Sequence, residues 1–306
     1  MADANKIVVL AGATGNLGSL IAQALLEKPE VKLRVLVRPE SVAKVSAFIE
    51  RGAEVVEVDL SGQGQGERLE EAMKDAYAVV SALQGGPNIM VDAQLRLLRS
   101  ARRADVRRFI PSCFSYNIFG LDAGDNINTD MLRAFASASE GERGHVDVVH
   151  IQNGAFLDRK ILFGFLGAFD LDHGRAFLWG DGNAEMDFTT YADTARYTAE
   201  VAVDEGTVPS IMEVAGDTLD FHELVRAYER GSGKSVAVDK KGTLSDLDDE
   251  IQRRKEEEPE NMFAWLPFMY WRAMLSGKGK LHSIANDRYP HIKATTVVEY
   301  VRNEAL

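Results

Sequence analysis

The sequence predicts an α/β protein: a doubly wound parallel sheet first, then a smaller, partly interleaved α/β part toward the C-terminus. Three observations carry that expectation. Apolar, β-branched runs alternate with helical patterns as far as Ile151. The first of these runs, Ile7 to Leu10, feeds directly into Gly12, Gly15 and Gly18, and a helical pattern from Leu20 to Leu26 follows. After about Asp158 the rhythm changes, which divides the chain into a part at 1–157 and a part at 158–306, with some later segments returning to the first sheet.

Taken in order, strands are expected at Lys6–Leu10, Leu33–Val37, Glu54–Glu57, Ala78–Ala82, Arg108–Pro111 and Val146–Ile151. Helices are expected between them at Asn16–Glu27, Val42–Arg51, Gly66–Lys74, Met90–Ala104 and Asn128–Ser139. Beyond Asp158, Leu178–Asp181, a Thr189–Val203 helix and Met212–Ala215 look like returning pieces. Phe221–Arg230 is amphipathic, and Leu244–Glu258 reads as a solvated, highly charged helix. Trp265, Phe268, Tyr270, Trp271 and Met274 follow at helical spacing, as core or as the wall of a pocket.

The glycines point to chemistry. Gly12 allows a sharp turn off the strand, Gly15 allows a pyrophosphate to approach the backbone, and Gly18 allows close packing of helix on sheet. Thr14, Asn16 and Leu17 fill the rest of that turn, and the helix N-terminus offers free N–H groups to phosphates. This is the order of a Rossmann dinucleotide site. The second strand ends at Arg38, where an NAD-specific protein would place an acid for the ribose 2′-OH. Arg38, with Lys44 nearby, suits a 2′-phosphate and so NADP(H); Glu40 keeps NAD as an alternative. Asp59 and Leu60 close the third strand, where the adenine edge is met, although Asp59 could equally cap a loop. Leu83 and Gln84, in the small-residue loop after the fourth strand, are expected beside the middle of the cofactor.

Composition sets bounds. Of 306 residues, 45% are hydrophobic, enough for a large core. A net charge of −12 argues against a nucleic-acid surface. Arg96, Arg99, Arg102, Arg103, Arg107 and Arg108 alternate with Leu and Val, and are expected to form the solvated face of a helix. Cys113 is the one cysteine, so no intrachain disulfide can form. The histidines show no short ligand spacing, so no metal is expected. No apolar run reaches transmembrane length and no secretory signal is visible, so a cytoplasmic protein with no membrane partner is expected; the oligomeric state is open.

These residues together resemble the NmrA-like and isoflavone-reductase-like branch of atypical short-chain dehydrogenases/reductases. The resemblance rests on Gly12-Ala13-Thr14-Gly15-Asn16-Leu17-Gly18, Val37-Arg38, Arg108-Phe109-Ile110-Pro111-Ser112 before Phe114, Asn153-Gly154-Ala155-Phe156, and Asp187-Phe188-Thr189-Thr190 with Asp193-Thr194-Ala195. It implies NADP(H) on the Rossmann half and a small aromatic or quinone-like substrate against the C-terminal part. It also implies that regulators without turnover share the fold. The chain departs from the reductases in two places. Cys113 follows Pro-Ser where they carry Glu, and Asn128 falls where they carry a catalytic Lys. Asn is no general acid, but it can donate a hydrogen bond to a carbonyl oxygen.

Reduction of a carbonyl or enone needs a donor to the developing oxyanion and a source of a proton. Tyr116, Asn128 and Ser112 are the candidates for that work. Phe114, Asn153, Phe156 and Trp265 are candidates to line the substrate site. The leading expectation is an NADPH-dependent reductase of a small aromatic, enone or quinone-like compound. The alternatives are an NADP(H)-binding, redox-sensing regulator and an epimerase- or dehydratase-type relative. The last usually needs Tyr-x-x-x-Lys; Tyr289 and Lys293 have the spacing, but Pro290 interrupts them.

Overall fold

The computed structural model describes residues 6–60, 62 and 64–306. Two compact units make up the chain, and the chain passes between them more than once. The first holds the described residues up to Phe114, then Met131–Ile151 and Thr194–Met212; the second holds Ser115–Asp130, Gln152–Asp193 and Glu213–Leu306. This division differs from a single cut at 157/158: residues 115–130 and 152–157 group with the second unit, and residues 194–212 with the first.

The first unit is built on six parallel strands: β1 (Lys6–Ala11), β2 (Val31–Val37), β3 (Glu54–Glu57), β4 (Ala76–Ser81), β5 (Arg108–Ile110) and β6 (Asp147–Val148), in the order β3-β2-β1-β4-β5-β6. Val8, Val9 and Leu10 have no exposed surface, as expected of a central strand covered on both faces. The crossovers are α1 (Asn16–Leu26), α2 (Ser46–Glu50), α3 (Gly66–Ala72), α4 (Gln94–Arg103) and α5 (Ile127–Glu142). The helix expected at Val42–Arg51 is a 3₁₀ segment, Pro39–Val45, running into the short α2. Pro39 fixes the first turn there, directly after an extended Arg38. A π-helical turn at Asn88–Ala93 leads into α4.

The strand expected at Val146–Ile151 divides at Val149. β6 pairs with β5, whereas His150, in β7 (His150–Gln152), donates its N–H to Ser210 O at 2.8 Å. The arginine cluster is not one solvated face. Arg99 and Arg103 pair with Glu142 and Glu70, and Arg102 donates to Glu142 O. Arg108 is fully buried and donates to the carbonyls of Val201 and Asp204, both at 2.7 Å, where α6 (Tyr191–Val203) ends. It serves the carbonyls of a helix C-terminus, a role its place at the start of β5, just after the arginines of α4, could not announce.

The second unit carries β8 (Ala155–Phe156), β9 (Phe169–Asp170), β10 (Arg175–Trp179), β11 (Met186–Thr189), β12 (Ile211–Glu213), β13 (Asp217–Leu219) and β14 (Ala237–Gly242), the first residues of β12 counting with the first unit. Two three-stranded sheets form, β14-β10-β9 and β13-β11-β8. Its helices are α7 (Phe221–Ser232), α8 (Leu244–Glu257), α9 (Met262–Leu275) and α10 (Val297–Asn303). Asp220, Thr243 and Thr296 each close a capping box with an acid three residues on, which fixes the starts of α7, α8 and α10. Among the described residues no helix is long and apolar enough to cross a membrane.

Candidate functional site

In the first unit the carboxyl ends of β1 to β5 share one sheet edge, because the strands are parallel. The order reverses direction between β1 and β4, the switch point at which ligands of such sheets bind. The glycine turn sits there. Gly12 has φ +91°, and a Cβ on it would strike the carbonyl of Ala82. A Cβ on Gly18 would strike the carbonyl of Gly12. Both glycines are therefore demanded by backbone packing. Gly15 differs: it is exposed, with φ −84° and ψ 167°, and a Cβ there would meet only Gly12 O at 3.5 Å. Nothing within the fold requires that glycine. It leaves bare the N-terminus of α1, whose N–H groups receive no side-chain cap. Thr14 and Asn16 are exposed beside it and Leu17 is half-buried. That cradle, open where a Cβ would fill it, fits a diphosphate.

Arg38 ends β2 with its side chain 60% exposed and 3.3 Å from Glu40. An exposed pair of this kind contributes at most about 1 kcal/mol, so the guanidinium can turn to a phosphate at small cost. Lys44 is exposed in the last turn of the 3₁₀ segment. Asp59 and Leu60 follow β3, Asp59 half-buried and Leu60 buried with its carbonyl accepting from Arg96. Gln84 is exposed and Leu83 half-buried after β4. Ser112, at the end of β5, is already engaged. Its hydroxyl donates to Leu83 O and its N–H to the Gln94 side chain, both at 2.6 Å. Ser112 thereby ties the loop after β4 to the end of β5. Cys113 beside it is buried, which pushes its thiol up to about 12 and leaves it inert as a nucleophile. Phe114 is half-buried.

The second unit holds the other candidates. Tyr116 is 3% exposed and shares a 3.0 Å hydrogen bond with Thr129. Burial, with the neighbouring Tyr270 phenol, holds its hydroxyl far above the ordinary phenol range. Its hydroxyl faces Thr129 and the packed interior. Asn126 accepts from the N–H groups of Asn128 and Thr129 and so starts α5. That turn aims the amide of Asn128 at the Tyr270 hydroxyl, 3.0 Å away. Asn153 is buried; its amide reaches only its neighbour, Gly154 O at 3.4 Å, and its Oδ1 has no partner. Phe156 stacks on Tyr191, centroids 4.0 Å apart and planes at 17°.

Trp265 is set apart from these groups. It is buried, donates to Glu258 O at 3.3 Å, and carries the Lys255 ammonium over its ring. The aromatic run of α9 divides between faces: Phe263 and Tyr270, seven residues apart, share one, and Trp265 points away from it. The sequence reading named Tyr270 only as one of an aromatic stripe and missed Tyr191 and Phe165. Asp187, named in the sequence only within the motif Asp187-Phe188-Thr189-Thr190, has a buried carboxylate that accepts from Lys280 Nζ and Leu281 N at 2.7 Å and from Thr218 at 2.6 Å. Among the described residues, no group of three or more His, Cys, Asp or Glu side chains is placed to hold a metal ion.

The fold is of Rossmann type, and residues 4–118 match the model of the NmrA-like family. The likeness to the isoflavone-reductase branch runs nearly end to end. The chain is 26% identical to pinoresinol reductase 2 of Arabidopsis thaliana over 96% of both chains. It is 25% identical to isoflavone reductase of Pisum sativum over 98% of its own length and 99% of that protein's. Among solved structures, that of AtPrR2 with NADP+ and (+)pinoresinol superposes with a TM-score of 0.78 over 99% of each chain, at 23% identity, which shows the fold.

Proposed function

We propose that this protein is an NADPH-dependent reductase of a small aromatic compound bearing a carbonyl, enone or quinone group. The observation that carries the reading is Gly15, a glycine the fold does not need, left open over an uncapped helix N-terminus at the sheet's switch point. Gly12 to Gly18 hold the diphosphate, Arg38 and Lys44 the 2′-phosphate, and Asp59, Leu60, Leu83 and Gln84 line the remaining length. Bound NADPH supplies the hydride. Ser112 keeps the loop after β4 in place through Leu83. Asn128 stands in for the Lys of the reductases as a neutral hydrogen-bond donor, and Asn153 and Phe156 border the substrate. The first unit is the nucleotide part and the second the substrate part. A lone, buried thiol suits a reducing compartment such as the cytoplasm.

The exchange of Lys for Asn128 also favours a second reading, an NADP(H)-binding regulator without turnover. One experiment separates them: NADPH and NADH oxidation with a panel of quinones, enones and aromatic carbonyls, beside direct titration of both dinucleotides. The reductase reading expects turnover with NADPH preferred, and loss of that preference in Arg38→Ala, worth about 1.5–3 kcal/mol. Tight NADPH binding with no turnover of any acceptor selects the regulator.

A further inference from the structure

The hydrogen bond between Asn128 and Tyr270 has a direction. An amide nitrogen only donates, so the Tyr270 oxygen accepts and keeps its own proton for another acceptor. Among the described residues none takes that proton. Tyr116, by contrast, is buried and shares its hydrogen bond with the Thr129 hydroxyl in the interior. Tyr270 is half-buried. Burial pushes its phenol up and the Asn128 amide draws it part of the way back, as an oxygen poised to donate requires.

The surroundings are aromatic. The ring of Phe165 lies 6.1 Å from Tyr270 and 6.3 Å from Phe263, in both cases edge to face. Phe263 is 74% exposed, the most exposed large apolar side chain among the described residues. The Phe156–Tyr191 stack stands close enough that burial, Asp158 and the Tyr270 phenol together push the Tyr191 hydroxyl up to about 12. An exposed aromatic surface around a phenolic proton that no described residue takes is the material of a ligand site. Its chemistry matches a flat ring carrying an oxygen.

We infer that Tyr270, oriented by Asn128, donates a hydrogen bond to the oxygen of a planar aromatic ligand whose ring lies against Phe165 and Phe263. Asn128 is then a positioning residue, and Tyr270 is the group that meets the oxygen. The consequence for turnover rests on the reductase reading above; the binding itself does not.

The probe is 4-nitrophenolate, a flat ring with an anionic oxygen and a visible absorption band, titrated with and without NADP+. Nitrobenzene, which lacks the oxygen, serves as the control ligand. Wild type is expected to bind 4-nitrophenolate with a shifted band. Tyr270→Phe, which keeps the ring and its packing, is expected to lose at least about tenfold in affinity together with the shift. Both proteins should bind nitrobenzene equally and melt alike. Asn128→Ala should fall between them. Equal affinity and spectrum in wild type and Tyr270→Phe, or no binding by wild type, overturns the inference. With an acceptor that is turned over, Tyr270→Phe should lower kcat about 10²–10³-fold with KM little changed. Unchanged kcat overturns the inference and leaves the reductase reading intact. A Tyr270-dependent phenolate site in a protein that reduces nothing does the reverse.

Discussion

The two units make their candidate sites from different material. The first builds chiefly with backbone: a turn of glycines, the bare end of α1 and the edge of a parallel sheet, with the charged side chains of Arg38 and Lys44 beside it. The second builds with side chains brought from far apart, Asn128 to Tyr270 and Asp187 to Lys280. A backbone site is held by the fold itself and tolerates little beneath it. A side-chain site can be retuned one residue at a time. Asn128 lies in the second unit, where such retuning is cheap.

The sharpest way to break that contrast is within one turn. Gly18→Val should unfold the first unit, because its Cβ would occupy the carbonyl of Gly12 and neither backbone can yield; a loss beyond about 4 kcal/mol is expected. Gly15→Val, three residues away, should melt as wild type does, since its backbone is extended and its surroundings are open. It should nonetheless lose NADPH. Thermal melts beside dinucleotide titration check both, and equal stability of the two variants would refute the distinction between a glycine for packing and a glycine for ligand.

In the second unit, Asp187→Ala should cost about 3–5 kcal/mol in a urea titration. It leaves Lys280, Leu281 N–H and Thr218 without the acceptor they share. Lys280→Met should cost clearly less, because Asp187 keeps its other two donors. A reversed order would show that the lysine, and not the carboxylate, anchors that segment.

A smaller effect separates the units by pH. His150, in the first unit, is buried beside Phe135, and burial, partly offset by Glu140, lowers its pKa from 6.5 to about 4. The unfolded chain therefore binds a proton between those values that the folded chain refuses. Stability contributed by the neutral ring is complete above about pH 6.5 and is lost as pH falls toward 4, at most about 3 kcal/mol. His150→Gln should flatten this slope. A variant that retains it would place the acid sensitivity elsewhere.

What the sequence made legible follows the same line. The glycine spacing, the Arg38 strand end and the first strands could be read because each depends on neighbours a few residues away. Pro39 was visible too, yet the helix expected at Val42–Arg51 opens as 3₁₀ through Val45 and is α-helical only over Ser46–Glu50, a choice that propensity alone does not decide. Arg108 looked like one more solvated arginine, because its partners lie more than 90 positions on. Tyr270 was unreadable as a site residue for the same reason: its partner lies 142 positions back. The spacing of Phe263 and Tyr270 on one face of α9 was the single local sign available.

The most direct test follows the hydride. Wild-type protein is given NADPH carrying deuterium at C4 on one face or the other, together with an aromatic carbonyl or enone that it consumes, whose product keeps the transferred hydrogen on carbon, and the product is weighed by mass spectrometry. The account expects one deuterium in the product from one face and none from the opposite face, with Gly15→Val yielding no product although folded. Product without label from either face, or labelled product from Gly15→Val at the wild-type rate, would contradict it.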